Sequence, residues 1–390
     1  MYHGKFVFTQ LMHLFPRYEF DQIVRHYQGN KHVRSFNCWH QFQCLCFGHL
    51  THRESLRDII TCLEANQGSL YHMGLPQKLS RSTFSDANRN REWRIFADYG
   101  TFLIEETKNL YANNRQFLFD LNQPVYALDG SVIELCLSLF PWAKMHTYTA
   151  AVRLHLLLDA ASDLPHFAQL ELTPVHELEV LRKLTIERGA IYVMDRGYLD
   201  WKQLNRIQRE GAFFVIRCRS NTSIKKVIAH PVSQFERIIY DDIGIPMGFY
   251  AAKAYPQEIR SIKVKGEKPG QTMRLLTNLF DLKPTTIEGI YKKRWRVELF
   301  FKWIKQHLKI KAFWGRNENA VKAQIWAAIC TYLLVAIVRK KLNISRSMYE
   351  ILQILSVSPF RKVPLNQILK KEPQVSNSPE IGNQLKINGL

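Results

Sequence analysis

The chain has 390 residues, 46% of them hydrophobic, enough for two or three domains each with its own core. Its 54 lysines and arginines against 34 aspartates and glutamates give a formal charge of +20, which points to a polyanionic partner, nucleic acid ahead of an acidic membrane surface. The seven cysteines are odd in number and mostly set among apolar residues, which speaks against a disulfide framework and for a reducing cytoplasm.

The N-terminus MYHGKFVFTQLMHLF has no charged start followed by an uninterrupted apolar run, so no secretion signal is expected. Next, CWHQFQCLCFGHLTH (38–52) gathers three cysteines and three histidines. Zinc sites pair their ligands in matched C-x2-4-C sets, whereas Cys44 and Cys46 stand one residue apart among Phe42, Leu45, Phe47 and Leu50. A buried helix is therefore expected there. Residues 1–115 as a whole read as helical, with polar breaks at Asn66-Gln67-Gly68 and Gly74-Leu75-Pro76. After these breaks, SRSTFSDANRNREW (80–93) offers a Ser or Thr cap and then a helix carrying Asn88, Arg89, Asn90 and Arg91. Such side chains reach phosphates and base edges, so a helix-turn-helix-like DNA reader using Arg89 and Arg91 is the expectation, with a solvated helix face as the competing reading.

From residue 124 the texture changes to short β-rich runs: VYALDG (125–130), TAAVRLHLLLD (149–159), HFAQLEL (166–172), AIYVMD (190–195) and AFFVIRC (212–218). Helical stretches separate the last three, the alternation of an α/β layer. A second β-rich zone at 224–278 contains FERIIYDD, GFYAAKAY and RSIKVKG, broken by Gly and Pro, and reads as an insertion. The α/β pattern resumes as helices at 284–308 and 317–342. The apolar run AQIWAAICTYLLVAIV (323–338) includes Gln324 and Thr331 and is shorter than a bilayer span, so a buried core helix is expected. The tail 370–384 is polar, with no core to join.

Two aspartates end apolar strands: Asp129 in VYALDGS and Asp195 in IYVMDRGY. A carboxylate at the C-terminal end of a buried strand lies at the sheet edge, where α/β folds place ligands and where it can hold a metal. Aspartates also start turns and cap helices at such points. A third acid, Glu298, is alone in YKKRWRVELFFKWIKQHLKI (291–310). On a helical wheel Tyr291, Arg294, Glu298 and Lys305 fall within roughly 60° of one another, while Val297, Leu299, Phe300, Trp303 and Ile304 point elsewhere. Glu298 thus belongs to a polar stripe on a packed helix. A bare i,i+4 pair of Arg294 with Glu298 is the simpler alternative.

The spacing Tyr-x2-Arg-x3-Glu-x6-Lys, filled by Tyr291, Arg294, Glu298 and Lys305, resembles the signature of DDE transposases of the insertion-sequence family four type. Asp129 and Asp195 stand where that family carries its other acids, Arg196, Gly197 and Tyr198 continue the family run, and the likeness covers residues 80–345. One departure is Gly130 before Ser131, where relatives often have Ser or Thr. The resemblance implies an α/β protein: an RNase H-like catalytic core with a β-rich insertion, preceded by an α-helical N-terminal DNA-binding domain. The expected boundaries are 1–115 for the helical domain, 120–218 and 281–343 for the core, 219–280 for the insertion, and 344–390 for a C-terminal helical region and tail.

Asp129, Asp195 and Glu298 would be the catalytic residues, binding two magnesium ions for which manganese can substitute. Tyr291, Arg294 and Lys305 would hold a terminal phosphate, with Lys302, Arg196 and Tyr198 as further DNA contacts and Trp295 in support. Relatives stack a flipped base on an aromatic residue of the insertion; Tyr240, Phe249, Tyr250 and Tyr255 are all candidates. The implied activity is cleavage and strand transfer of an insertion sequence through a hairpin intermediate. The implied partners are double-stranded DNA, as terminal inverted repeats and target, held by a homodimer at the bacterial nucleoid, with no membrane. A domesticated DNA-binding descendant and an RNase H-like repair nuclease are the alternatives.

Overall fold

The computed structural model describes residues 4–112, 118–119, 121–146, 149–171, 177–219, 221–232, 237–266, 268, 270–307 and 313–370. The N-terminal part is helical as expected, with helices at Val7–Met12, Arg17–His26, Cys38–Leu50, Leu56–Glu64, Gln67–Leu70, Arg81–Asn90 and Arg94–Ala112. Helix Cys38–Leu50 starts where the Asn37 side chain accepts from the His40 amide, and its cysteines are buried among aromatic rings rather than set out as ligands. Phe20 anchors that packing, with its ring centroid 5.0 Å from both Trp39 and Tyr99.

Ten strands follow: β1 (Val125–Leu135), β2 (Lys144–His146), β3 (Thr149–Asp159), β4 (Leu164–Glu171), β5 (Ile191–Met194), β6 (Phe213–Arg217), β7 (Ile224–His230), β8 (Ile238–Pro246), β9 (Ile259–Lys265) and β10 (Thr272–Thr277). They form one sheet in the order β2-β3-β1-β5-β6-β10-β9-β8-β7, with β4 on the outer side of β3. β1 runs antiparallel to β3 and parallel to β5, and β5 parallel to β6. The crossovers are helices Glu177–Lys183 and Trp201–Arg209, each inside a stretch expected to be helical. The insertion is not a separate sheet: β10 pairs antiparallel with β6 and carries β9, β8 and β7 outward from the same edge.

Two expectations are corrected here. GFYAAKAY is not a strand but the short helix Phe249–Ala254, entered through Gly248 at φ 95°; a short apolar run does not distinguish strand from helix by periodicity, and three alanines favour the helix. The basic stretch 291–310 is not one helix either. Helix Pro284–Lys292 ends and helix Trp295–His307 begins across a tight turn, in which the Lys293 amide donates to Ile290 and the Arg294 amide to Tyr291, each at 3.0 Å. The bend follows the packing. Ile287, Ile290 and Tyr291 join a cluster with β5, β6 and β9, whereas Val297, Phe300, Phe301 and Ile304 join the main core.

That main core is shared by distant segments. Helix Glu318–Lys341 runs through it, long and apolar enough to cross a membrane, yet wholly buried over its apolar window. Around it pack the N-terminal helices, one face of β1 and β3, and the C-terminal helices Met348–Val357 and Leu365–Leu369. At its start, Asn319 accepts from the Trp93 amide at 3.1 Å and Asn317 donates to the Arg89 carbonyl at 3.0 Å, fastening the N-terminal region to the rest. The polar tail expectation falls on 371–390, outside the described residues.

Candidate active site

Asp129, Glu298, Arg294 and Tyr291 converge at one end of the sheet, with Asp195 completing the group. Period-2 alternation on β1 sends Asp129 and Ser131 to the face covered by helix Trp295–His307. Asp195 directly follows β5, whose Met194 pairs with Leu128 of β1; Asp129, expected to end its strand, instead lies within β1, one residue past the last that pairs with β5, because pairing with β3 carries β1 on to Leu135. Arg294, in the turn between the two helices, spans Asp129 at 2.9 Å and Glu298 at 2.5 Å. The i,i+4 pair foreseen from the spacing therefore exists, but the same guanidinium also crosses to β1. Tyr291 sits under it, its hydroxyl 3.5 Å from an Asp195 oxygen and its ring 6.0 Å from the Arg294 carbon centre. Lys305, three turns along, donates at 2.7 Å to both the Ser131 hydroxyl and the Val132 carbonyl. An open cleft of about 580 Å³ is lined by Asp129, Ser131, Glu298, Lys302 and Lys305.

The electrostatics follow from burial. Desolvation raises the Asp129 carboxyl to about 6, opposed by Arg294 and the Gly130 amide and reinforced by the nearby Glu298 and Asp195 charges. Arg294 is pulled the other way: burial disfavours its charge, but Tyr291, Asp129 and Glu298 outweigh that and keep it firmly protonated. Burial, then the Asp195 charge, pushes the Tyr291 phenol up to about 12. Among the described residues no three acidic, histidine or cysteine side chains are close enough to hold a metal ion as they stand.

Residues 120–334 match the transposase DDE domain family, and residues 3–76 match a domain of unknown function (DUF4372). A putative transposase, y4zB, of Sinorhizobium fredii is 32% identical over 280 residues, covering 70% of this chain and 76% of the relative. The chain belongs to the DDE transposase family. It is also 27% identical, over 73% of its length and 74% of the relative's, to a probable transposase for insertion sequence element IS5377 of Geobacillus stearothermophilus. A putative transposase for element IS4SA of Synechocystis is 26% identical over 65% of this chain and 70% of the relative. This protein is thus a transposase, an enzyme acting on DNA, and belongs with insertion sequences and other mobile elements.

The transposase fold sorts the remaining candidates. Lys302 and Arg196 are exposed near the acids, and Trp295 is 56% exposed beside Arg294. Tyr198 is 1% exposed and its hydroxyl meets His155, so its expected DNA contact is corrected to an internal one. Arg91 is half-buried: it donates to the Gln41 side chain at 3.2 Å and to the Phe36 carbonyl, and lies 5.5 Å over the Phe36 ring. Burial lowers its pKa. Arg89, two residues earlier, is exposed. Of the insertion aromatics, Tyr255 is fully buried and bonded to Gln208, whereas Phe249 and Tyr250 are 74% and 85% exposed.

Three site neighbours escaped the sequence reading. Asp163, at φ 59° in the β3–β4 turn, takes both ends of the Arg296 guanidinium and so anchors the Glu298 helix from behind. Ser131 receives Lys305. His155 stands inside the apolar run of β3, and a lone histidine on an inward position was the one local sign available.

Proposed function

We propose that this transposase cleaves the ends of an insertion sequence and joins them to target DNA with Asp129, Asp195 and Glu298 as the metal-binding acids of an RNase H-like core. The observation that carries the reading is Arg294, held between two of these carboxylates from separate elements, while Tyr291 beneath it reaches the third. A point of the fold that already gathers positive charge between carboxylates fits magnesium or manganese, hard cations that take oxygen donors. The strand order β4-β3-β1-β5-β6, antiparallel on one side of β1 and parallel on the other, supports the RNase H-like assignment.

Asp129, Asp195 and Glu298 would hold such ions, which when bound would supply activation of a water or a 3′-hydroxyl and stabilisation of the leaving oxygen. Asp129, whose carboxyl pKa burial raises, gains from a cation that compensates its charge. Arg294, Lys302 and Lys305 line or border the cleft and hold the freed terminal phosphate in line for attack at the hairpin step. Exposed Phe249 and Tyr250 supply the faces on which an unpaired base stacks, with Trp295 at the cleft margin. The +20 charge supplies most of the affinity for end and target DNA, which a homodimer on the bacterial nucleoid would hold.

The test is magnesium-dependent cleavage of DNA carrying the element's ends, with Asp129→Asn, Asp195→Asn and Glu298→Gln. Each is expected to lose cleavage while keeping end binding within about threefold, because phosphate contacts dominate affinity. A variant that cuts at the normal rate removes that residue from the assignment. Joining of a pre-cut 3′-hydroxyl end to target DNA separates a transposase reaction from simple nuclease action.

A further inference from the structure

The face of the sheet opposite the acids carries a second polar group. In the β1–β3 register Gly130 lies across from His155, and alternation turns both away from the face that bears Asp129. His155 is fully buried, its Nδ1 3.3 Å from the Tyr198 hydroxyl and its Nε2 without a hydrogen-bond partner among the described residues. The imidazole fills the space over Gly130: a Cβ there would lie 2.7 Å from Nδ1. This accounts for a glycine at position 130.

Tyr198 closes the single turn Arg196–Tyr198, and its amide donates to the Asp195 carbonyl at 3.1 Å, so a hold on the Tyr198 ring is a hold on Asp195. A second hold lies alongside. The Glu177 carboxylate occupies the place a side chain at Gly197 would take, and Arg153, two residues from His155 on the same face of β3, lies 3.7 Å from Glu177. Arg219 donates to the Arg196 carbonyl at 3.1 Å and closes the turn from outside.

We propose that His155 and Tyr198 are positioning residues, a brace beneath the sheet that sets Asp195 relative to Asp129. The brace rests on the reading of those aspartates as metal ligands. It acts through geometry: a neutral hydrogen bond adds little to stability, whereas a misplaced reacting group costs rate steeply.

Tyr198→Phe keeps the ring and removes only the hydroxyl. It should lower the cleavage rate about tenfold and weaken manganese binding, measured by calorimetry on the full chain, by about threefold, with end-DNA Kd and melting temperature unchanged. Gly130→Ala should cost about 100-fold by displacing the imidazole, and adding His155→Ala should recover about tenfold of that loss, a coupling that two independent structural defects would not show. Asp129→Asn and Asp195→Asn serve as controls. If they lose manganese binding and cleavage while Tyr198→Phe retains both, or if the double variant is worse than Gly130→Ala, the brace is overturned. A melting-temperature drop in Tyr198→Phe that matches its loss of cleavage would reduce it to a packing contact. If the aspartate variants bind manganese and cleave normally, the ligand reading fails and the brace with it.

Discussion

Arg260, which is buried, and Arg294, which is half-buried, both bind carboxylates, and they are finished to different degrees. In the insertion, Arg260 of β9 takes both oxygens of Asp241 of β8, at 2.8 and 2.7 Å, and spends its remaining nitrogen on the carbonyls of Leu279, Phe280 and Leu282 at 3.0, 3.0 and 2.6 Å. Its side chain is 5% exposed and that of its partner 4%. In the site, Arg294 divides itself between Asp129 and Glu298, finds no partner for its Nε among the described residues, and borders an open cleft. A saturated guanidinium ties the insertion to the chain leading into the Glu298 helix and has nothing left to offer. One shared between two carboxylates can exchange a protein partner for a phosphate, and its carboxylates can exchange it for another cation.

The contrast is broken most severely at Arg260. Arg260→Met leaves Asp241 buried without its counter-ion and should cost about 3–5 kcal/mol in urea unfolding, much of it recovered in the double variant with Asp241→Leu. Recovery by that double variant would show that desolvated charge, not lost packing, is the cost. Buried His155 tests the same principle through pH. Burial, then Arg153 and Lys183, lowers its pKa from 6.5 to about 4, so the unfolded chain takes up a proton before the folded one does. The stability this contributes is complete above pH 6.5 and is lost as pH falls towards 4, on the order of 3 kcal/mol in total. Unfolding curves across that window should lose this slope in His155→Gln.

Arg294→Gln should change stability by no more than about 1 kcal/mol, because the Asp129 and Glu298 side chains are 21% and 34% exposed and water replaces part of the lost partner. Its effect should fall on chemistry, with first-strand nicking retained and hairpin product reduced about tenfold on gels. A melting-temperature drop as large as that of Arg260→Met would make the two arginines equivalent after all. The smallest effect belongs to Arg17–Asp21, whose side chains are 43% and 41% exposed: a double-mutant cycle should return less than about 0.5 kcal/mol.

The three candidate acids were legible because each stands out against its own surroundings: Asp129 and Asp195 follow apolar runs, although β1 continues past Asp129 to Leu135, and Glu298 is a single carboxylate in a basic, aromatic stretch. Arg294 and Lys305 were legible from spacing alone, although the spacing was laid on one continuous helix and the chain bends at Lys293–Arg294. The register survives because the turn keeps three-residue hydrogen bonding, so Tyr291 and Arg294 remain stacked. Tyr198 was misjudged for a reason that also draws Arg91 partly inward. A basic or phenolic residue in a polar stretch looks exposed in sequence, and only the arrival of Phe36 or His155 from elsewhere in the chain turns it inward.

Local pattern set most of the helices and strands, the buried helix Glu318–Lys341 and the acids that follow apolar runs, because backbone periodicity and apolar patterning act over a few residues. The tertiary structure decided what those residues meet. It joined the insertion to the main sheet through β6 and β10, and drew the N-terminal helices into the core of Glu318–Lys341. It also set Phe249 and Tyr250 outward while burying Tyr255, and laid His155 against Gly130. These pairings lie tens to hundreds of residues apart along the chain, and only close packing of the whole fold selects them.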